Sequence, residues 1–275
     1  MESAWADAAL ERVLRGDAVA LITLTEVHGS APREAGARML VWAEGQAGTI
    51  GGGNLEFTLV CEARSLLATE ARDVSERDYP LGPILGQCCG GRVRARVERL
   101  SIENATALAR SAADEARARP ELFLFGAGHV GAAIAYAVSP LPFALRWCDT
   151  RPEFAEVAHH VTDPCALVRE ARPAAFYLIV THNHDLDYEI TRAALTRRDA
   201  AYCGLIGSKS KRVRFERQLR ADGLGGELRK LTCPIGGAIG LKDKAPAVIA
   251  ASVVAEMLLV LEAHAAHARE AAHVE

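Results

Sequence analysis

The sequence predicts an α/β protein in which a mixed α+β N-terminal domain precedes a doubly wound parallel sheet. Three observations lead to this prediction. The chain has 275 residues, which exceeds the usual length of one compact domain. Its second half alternates apolar strand-like segments with helical ones, as parallel sheets covered by helices on both faces do. Its first half joins strands and helices through three glycine-rich loops.

Composition and charge exclude several classes of function. Hydrophobic residues make up 50% of the chain, charged residues 24%, and the net charge is -3, so neither a disordered protein nor an electrostatic binder of nucleic acid is indicated. The N-terminus mixes acidic and basic residues with alanines and lacks an apolar signal segment, which predicts a cytoplasmic protein. The cysteines are therefore expected to be reduced, and none forms a CxxC pair spaced for zinc, so we expect no metal.

The longest apolar run, from Ala245 to Leu261, contains Glu256 and follows three charged residues. It is shorter than the roughly 20 residues that a bilayer requires. We therefore expect a buried or subunit-facing helix and no membrane partner.

The first domain is predicted to span residues 1–105. Apolar, β-branched segments predict strands at Ala18–Glu26 and Met39–Trp42, and alternation of apolar residues with arginines predicts another at Arg92–Leu100. Leucines at helical spacing predict a helix at Leu55–Leu67.

A connecting helix at residues 106–119 is predicted to end before Pro120, because the residue ahead of proline disfavours helical backbone. Residues 120–275 then form the second domain. Its predicted strands are Leu122–Phe125, Phe143–Cys148, Ala175–Val180 and Tyr202–Ile206, and its predicted helices include His129–Val138, Leu186–Leu195 and Ser210–Ala221.

A glycine loop of the pattern GxGxxG lies between the first strand and helix of this second domain. Gly126 permits a tight turn, Gly128 lets a diphosphate approach the backbone, and Gly131 allows close packing of helix on strand. The amides at the helix start, where His129 lies, would hold the anion. Asp149, at the end of the second strand, is placed to accept hydrogen bonds from a ribose or another diol. The pattern predicts a Rossmann-type domain for a nucleotide or pterin phosphate; a tight turn without a ligand is the alternative.

The loop after the strand ending at Val180 should face this glycine loop, because the first and fourth strands of such a sheet are neighbours. It holds His182 and His184 beside two aspartates, residues that contact ligands, transfer protons or bind metals. The alternative is that Asp185 or Thr181 caps the next helix and the histidines are ordinary polar loop residues.

After the following strand, Gly207, Ser208 and Lys209 place a glycine, a hydroxyl group and a cation at a helix start, where an anion could dock. The alternative is the solvated face of an amphipathic helix.

Two loops of the first domain carry residues suited to phosphate. Ser30, Arg33 and Arg38 flank glycines, and arginine side chains can complete a phosphate site by forked hydrogen bonds. The three consecutive glycines lead into a helix, whose amides would form the cradle. These glycines are Gly51, Gly52 and Gly53.

Adjacent cysteines, Cys88 and Cys89, lie in the third glycine-rich loop. A thiol in a loop near arginine can ionise and act as a nucleophile, sulfur carrier or ligand of a soft metal. Small residues in an ordinary turn are the alternative.

Taken together, these motifs resemble one family, the accessory proteins of xanthine dehydrogenase known as XdhC and CoxI, and they occur in order along nearly the whole chain. The matching segments are Gly29–Arg33, Gly36–Met39, Gly48–Gly53, Gly86–Gly91, Phe125–Val130, Asp149–Pro152, Thr181–His184, Gly204–Lys209 and Cys233–Gly237.

The resemblance implies a chaperone of the molybdenum cofactor, molybdopterin with its metal, that works with a cysteine desulfurase and delivers the cofactor to apo-xanthine dehydrogenase. It also implies a homodimer or larger homo-oligomer. On this hypothesis the glycine loops hold the phosphate, Arg33 and Arg38 neutralise charge, and Cys88 or Cys89 approaches molybdenum or relays sulfur.

Two rival functions fit part of the sequence. A nicotinamide-dependent oxidoreductase would use the glycine loop and Asp149, with His182 or His184 as acid and base. A nucleotide-sensing module without chemistry would use the same loops to regulate a partner.

Overall fold

The computed structural model describes residues 2–69, 71–81 and 90–272 and confirms the predicted α/β class. The chain divides into two compact units, residues 1–117 and 118–275. Cys88 and Cys89 lie outside the described residues, so the roles predicted for them remain predictions.

The first unit is built on an antiparallel sheet with strands in the order β3-β2-β1-β5-β4. Its strands are β1 (Val19–His28), β2 (Arg38–Trp42), β3 (Gly45–Gly48), β4 (Val74–Pro80) and β5 (Arg92–Arg99), and its helices are α1 (Glu2–Leu14), α2 (Gly53–Leu67) and α3 (Ile102–Ala118).

Helices cover both faces of this sheet. The central strand, β1, therefore begins with four consecutive apolar residues, Val19–Ile22. Side chains alternate between faces along a strand. Ala20 and Ile22 therefore pack on the side of α2, whereas Val19 and Leu21 pack on the side of α1 and α3.

The second unit contains a parallel sheet with strands in the order β11-β10-β9-β6-β7-β8. Its strands are β6 (Glu121–Phe125), β7 (Ala144–Asp149), β8 (His159–His160), β9 (Phe176–Ile179), β10 (Tyr202–Leu205) and β11 (Leu231–Thr232), and its helices are α4 (His129–Val138), α5 (Pro164–Glu170), α6 (His184–Thr196), α7 (Lys209–Ala221) and α8 (Pro246–Ala272). The first strand of this unit, β6, pairs with both the second, β7, and the fourth, β9. This is the strand order of a doubly wound sheet, as predicted.

Helices cover both faces of the parallel sheet. Phe123 and Tyr177 pack with residues of α5, α6 and α7 on one face. Leu122 and Leu124 pack with residues of α4 and α8 on the other. Because both faces are buried, the strands read as continuous apolar runs in the sequence.

The apolar segment in helix α8 is longer than the sequence analysis expected. Residues Pro246–Ala266 have a mean hydropathy of 1.9, so by length and composition this stretch could cross a membrane, and 28% of it is buried. Val253 and Met257 are fully buried against the sheet. The Glu256 carboxylate accepts hydrogen bonds from the Tyr202 hydroxyl (2.6 Å) and the Gly236 amide (2.9 Å). One face of α8 is therefore fastened to the core of its own unit.

Candidate functional site

The carboxyl edge of the parallel sheet brings together the loops that follow β6, β7, β9 and β10. Ligands of doubly wound sheets bind at this edge, where the strand order reverses. The sequence-predicted residues that lie on these loops are Gly126, Gly128, His129, Gly131, Asp149, His182, His184, Gly207, Ser208 and Lys209.

The glycine loop approaches the neighbouring backbone too closely for larger residues. Gly126 has φ +118°, and a Cβ atom there would lie 2.4 Å from the Val180 carbonyl oxygen. A Cβ atom on Gly131 would lie 2.0 Å from the Gly126 carbonyl oxygen. The Trp147 indole N–H donates to that same oxygen at 3.0 Å. These contacts hold the turn against the tips of β7 and β9.

The start of helix α4 is open. In the described part of the chain, no side chain caps the helix at Gly128, and a Cβ atom built there would meet nothing within 4 Å beyond its chain neighbours and its own helix backbone. His129 is exposed beside it. Main-chain amides and the positive end of the helix dipole therefore remain available to an anion.

Asp149 has a different role from the predicted one. Its side chain is 1% exposed. One carboxylate oxygen accepts from the Arg151 amide (2.9 Å) and Nε (3.0 Å), and the other accepts from the Ala127 amide (2.6 Å) and an Arg151 terminal nitrogen (2.8 Å). The carboxylate holds the glycine loop and Arg151, because its acceptor sites are taken by these protein donors, and so the geometry contradicts the prediction of a diol acceptor.

Arg151 is held on two sides. Its guanidinium group lies 4.1 Å from the centre of the Phe154 ring and binds Asp149 in a fork. Burial raises the pKa of Asp149, but the hydrogen bonds from Arg151 and Ala127 outweigh this effect and lower the pKa to about 2. Asp149 is therefore ionised at neutral pH.

A cleft of about 480 Å³ lies between the loop after β9 and the start of α7. Its floor is a buried ion pair, in which Lys211 Nζ lies 2.5 Å from the Asp187 carboxylate and also donates to the Ile206 carbonyl at 3.0 Å. Asp187 accepts from the Thr181 hydroxyl at 2.7 Å as well. This network fixes the loop after β9 and the loop after β10 to each other.

The two predicted histidines are exposed, and His184 lines the cleft. Neither Asp185 nor Thr181 caps helix α6. Asn183 does so, because its side-chain oxygen accepts from the amides of Asp185 (2.8 Å) and Leu186 (3.2 Å).

At the start of α7, Ser208 is an N-cap whose hydroxyl accepts from the Lys211 amide at 3.2 Å. Gly207 and Ser208 line the same cleft, and Lys209 is exposed. Gly207 has no room for a side chain, because a Cβ atom would lie 2.8 Å from Lys211 Cδ.

In the first unit, the loop carrying Ser30 and Arg33 meets two other glycine loops. A Cβ atom on Gly51 would lie 2.6 Å from a Pro32 side-chain carbon and 3.2 Å from one of Arg33. A Cβ atom on Gly91 would lie 2.3 Å from the Ser30 carbonyl oxygen. The chain that leaves Cys89 through Gly90 therefore runs directly against the Ser30 loop.

The cradle predicted at Gly51, Gly52 and Gly53 is already partly filled. The Glu56 carboxylate accepts hydrogen bonds from the amides of Ile50 and Gly52, each at 3.1 Å, and from the Thr49 hydroxyl at 2.5 Å. This acidic side chain occupies part of the place assigned to a phosphate, and phosphate binding at these glycines stays a prediction.

Arg38 has different surroundings from Arg33. It lines a groove with Thr23 and Arg96 on the α3 side of the sheet, and its guanidinium lies 3.9 Å from Glu115. Among the described residues, no group of three or more His, Cys, Asp or Glu side chains is arranged to hold a metal ion.

Sequence reasoning gave no role to Arg151 or Glu56, and it expected Lys211 at an anion site or on a solvated helix face, whereas Lys211 is buried in an ion pair. Arg151 follows Asp149 by two residues, and this spacing could have signalled a local ion pair. Glu56 lies four residues after Gly52, at the start of the helix, and this spacing could have signalled a local contact with the glycine loop. Lys211 has no local signal, because its partner Asp187 is 24 residues away.

The strand order and the open glycine loop define a protein with a Rossmann-type domain. Residues 122–257 match a family model described as the XdhC Rossmann domain, and residues 13–80 match the model of the XdhC and CoxI family. The chain belongs to the XdhC and CoxI family, as its motifs predicted.

Two individual proteins are similar to the chain. Escherichia coli YqeB, described as an uncharacterized protein, is 32% identical over an alignment of 255 residues that covers 88% of this chain and 43% of YqeB. The chain thus spans less than half of that relative. A crystal structure described as a xanthine dehydrogenase from Bacillus halodurans superposes with a TM-score of 0.77 at 20% identity, covering 96% of each chain. At that identity the likeness shows the fold.

Proposed function

We propose that this protein is a maturation factor of xanthine dehydrogenase that binds the molybdenum cofactor. It holds the cofactor while a cysteine desulfurase supplies the terminal sulfur, and it delivers the product to the apo-enzyme. Membership of the XdhC and CoxI family supports the link to xanthine dehydrogenase. In this role the chain is a carrier.

The observation that carries the proposal is the meeting of loops in the first unit. The Gly51 loop packs on Pro32 and Arg33, and Gly91 packs on Ser30. Arg33 is exposed there, and its guanidinium group suits a phosphate. Gly90 and Gly91 directly follow the cysteine pair in the sequence, and this supports a shared role for the pair and the Ser30 loop.

Three of the described cysteines, Cys148, Cys203 and Cys233, are buried and poorly suited to sulfur chemistry. Burial raises the pKa of the Cys148 and Cys203 thiols to about 12, and burial also raises the pKa of Cys233. Thiols in such surroundings stay protonated and are poor nucleophiles.

Activation of apo-xanthine dehydrogenase tests the proposal. Apo-enzyme, released cofactor and a cysteine desulfurase with cysteine are incubated with the protein, and the rate of urate formation is measured. We expect the double variant Cys88→Ala with Cys89→Ala to lose most of the activation. Cys61→Ala, which removes an exposed cysteine on α2, is the matched control and should activate normally. Full activation by the double variant would end the proposed role of the cysteine pair.

A further inference from the structure

Both carboxylate oxygens of Asp149 are occupied by hydrogen bonds within the parallel-sheet unit. The proposed function does not use this feature. In Rossmann-type domains a carboxylate at the end of the second strand binds the hydroxyl groups of a nucleotide ribose. Asp149 ends β7, the second strand of this unit, and therefore has the position of that carboxylate.

The acceptor capacity of Asp149 is used up inside the protein. A carboxylate offers about four lone-pair sites. Two are occupied by the main-chain amides of Ala127 and Arg151, and two by the guanidinium group of Arg151, one on each oxygen. A ribose diol, which must donate two hydrogen bonds, meets no open acceptor here.

The surroundings keep Arg151 in this place. Its guanidinium lies over Phe154 and only a quarter of the side chain is exposed. Glu153 lies near enough to interact with it favourably. Asp149 and Glu153 together balance the positive charge, so the position offers little attraction to a phosphate on the ribose.

Space for a ligand lies on the opposite side of the glycine loop. The cleft of about 480 Å³ begins at Thr181, whose amide nitrogen lies next to Gly126. At the β7 side, the pocket lined by Gly126, Asp149 and Thr150 has a volume of only about 10 Å³. The larger of these two spaces thus lies on the side of the loop after β10.

We propose that Arg151 determines specificity in this site: by occupying both oxygens of Asp149 it excludes NAD and other nucleotides whose ribose hydroxyls need that carboxylate. This inference concerns the parallel-sheet unit and does not depend on whether the molybdenum cofactor is the cargo.

Titration calorimetry with ADP-ribose and NAD tests the inference on the full chain. The wild-type protein should bind neither of them measurably. In Arg151→Ala each oxygen of Asp149 regains one acceptor site, matching the two hydroxyls of a ribose. Hydrogen bonds to a charged group justify an expected gain in ADP-ribose affinity of roughly tenfold or more.

Two further variants make the result interpretable. Arg151→Met keeps the packing on Phe154 without the hydrogen bonds, and it should show the same gain if Arg151→Ala is poorly folded. Arg146→Ala removes an exposed arginine from the same strand and should leave nucleotide affinity unchanged. Wild-type protein that binds ADP-ribose as tightly as the Arg151 variants would overturn the inference, as would a folded Arg151 variant that gains no affinity. Neither result bears on activation of xanthine dehydrogenase, which is measured separately.

Discussion

At the scale of single residues, sequence reasoning located positions better than partners. The spacing from Gly131 to Asp149 correctly placed a carboxylate at the tip of β7. It gave no indication that Arg151 would donate hydrogen bonds to both carboxylate oxygens. The pattern predicts where the side chain lies, but it does not predict which donors will bind it. The glycine-loop motif therefore located Asp149 correctly but did not show that its hydrogen-bond acceptors are already occupied.

Two glycines of the loop form a matched test of close packing. Gly131→Ala places a Cβ atom 2.0 Å from the Gly126 carbonyl oxygen, so the backbone must shift. We expect the free energy of unfolding to fall by about 1–3 kcal/mol, the usual cost of overpacking. The measurement is urea denaturation followed by circular dichroism.

Gly128→Ala is the control, because the described structure leaves open space there and the backbone has φ -69°. Its unfolding free energy should change by less than about 1 kcal/mol, as alanine is only a poorer N-cap. Equal losses in the two variants would contradict the close packing assigned to Gly131.

At the scale of elements, apolar periodicity predicted most of the buried strands and helices, but it did not predict helices α1 and α5 or the polar edge strands. Strand β4 (VSERDYP) is polar and lies at a sheet edge, and β3 (GQAG) is half glycine. Edge strands need only one hydrogen-bonded neighbour and little apolar surface. Their pairing with β5 and β2 depends on the fold and leaves a weak trace in composition.

The glycine loop at the start of α2 also shows that a motif can predict the kind of group bound without identifying that group. Consecutive glycines before a helix predicted an anion cradle, and the anion is the helix's own Glu56. The amides were correctly expected to bind a negative group. The sequence did not distinguish a ligand from an acidic side chain one turn away.

We predict that Glu56 stabilises the first unit. Glu56→Ala leaves the amides of Ile50 and Gly52 without their acceptor, and we expect a loss of about 1–2 kcal/mol in unfolding free energy. Glu44→Ala, at an exposed acidic residue, should change stability by less than about 0.5 kcal/mol. The two variants are compared by thermal and urea denaturation. A Glu56→Ala protein as stable as the wild type would show that the glycine loop does not depend on this carboxylate.

At the scale of the whole molecule, alternation of strands and helices was enough to predict the class and the doubly wound order. A crossover between parallel strands follows one hand, so few topologies fit the order of elements. The placement of sites was less predictable. Ser30 and Arg33 share an end of their unit with Gly91, whereas Arg38 lies on the α3 side of the sheet.

The most decisive measurement is binding of the molybdenum cofactor by the purified 275-residue chain. The protein is incubated with cofactor released from a molybdenum enzyme, separated from free cofactor by gel filtration, and analysed for molybdenum and for the cofactor's absorbance. We expect molybdenum to co-elute with the protein in close to equimolar amount. Background molybdenum in the protein fraction, with all cofactor absorbance in the free fraction, would contradict it.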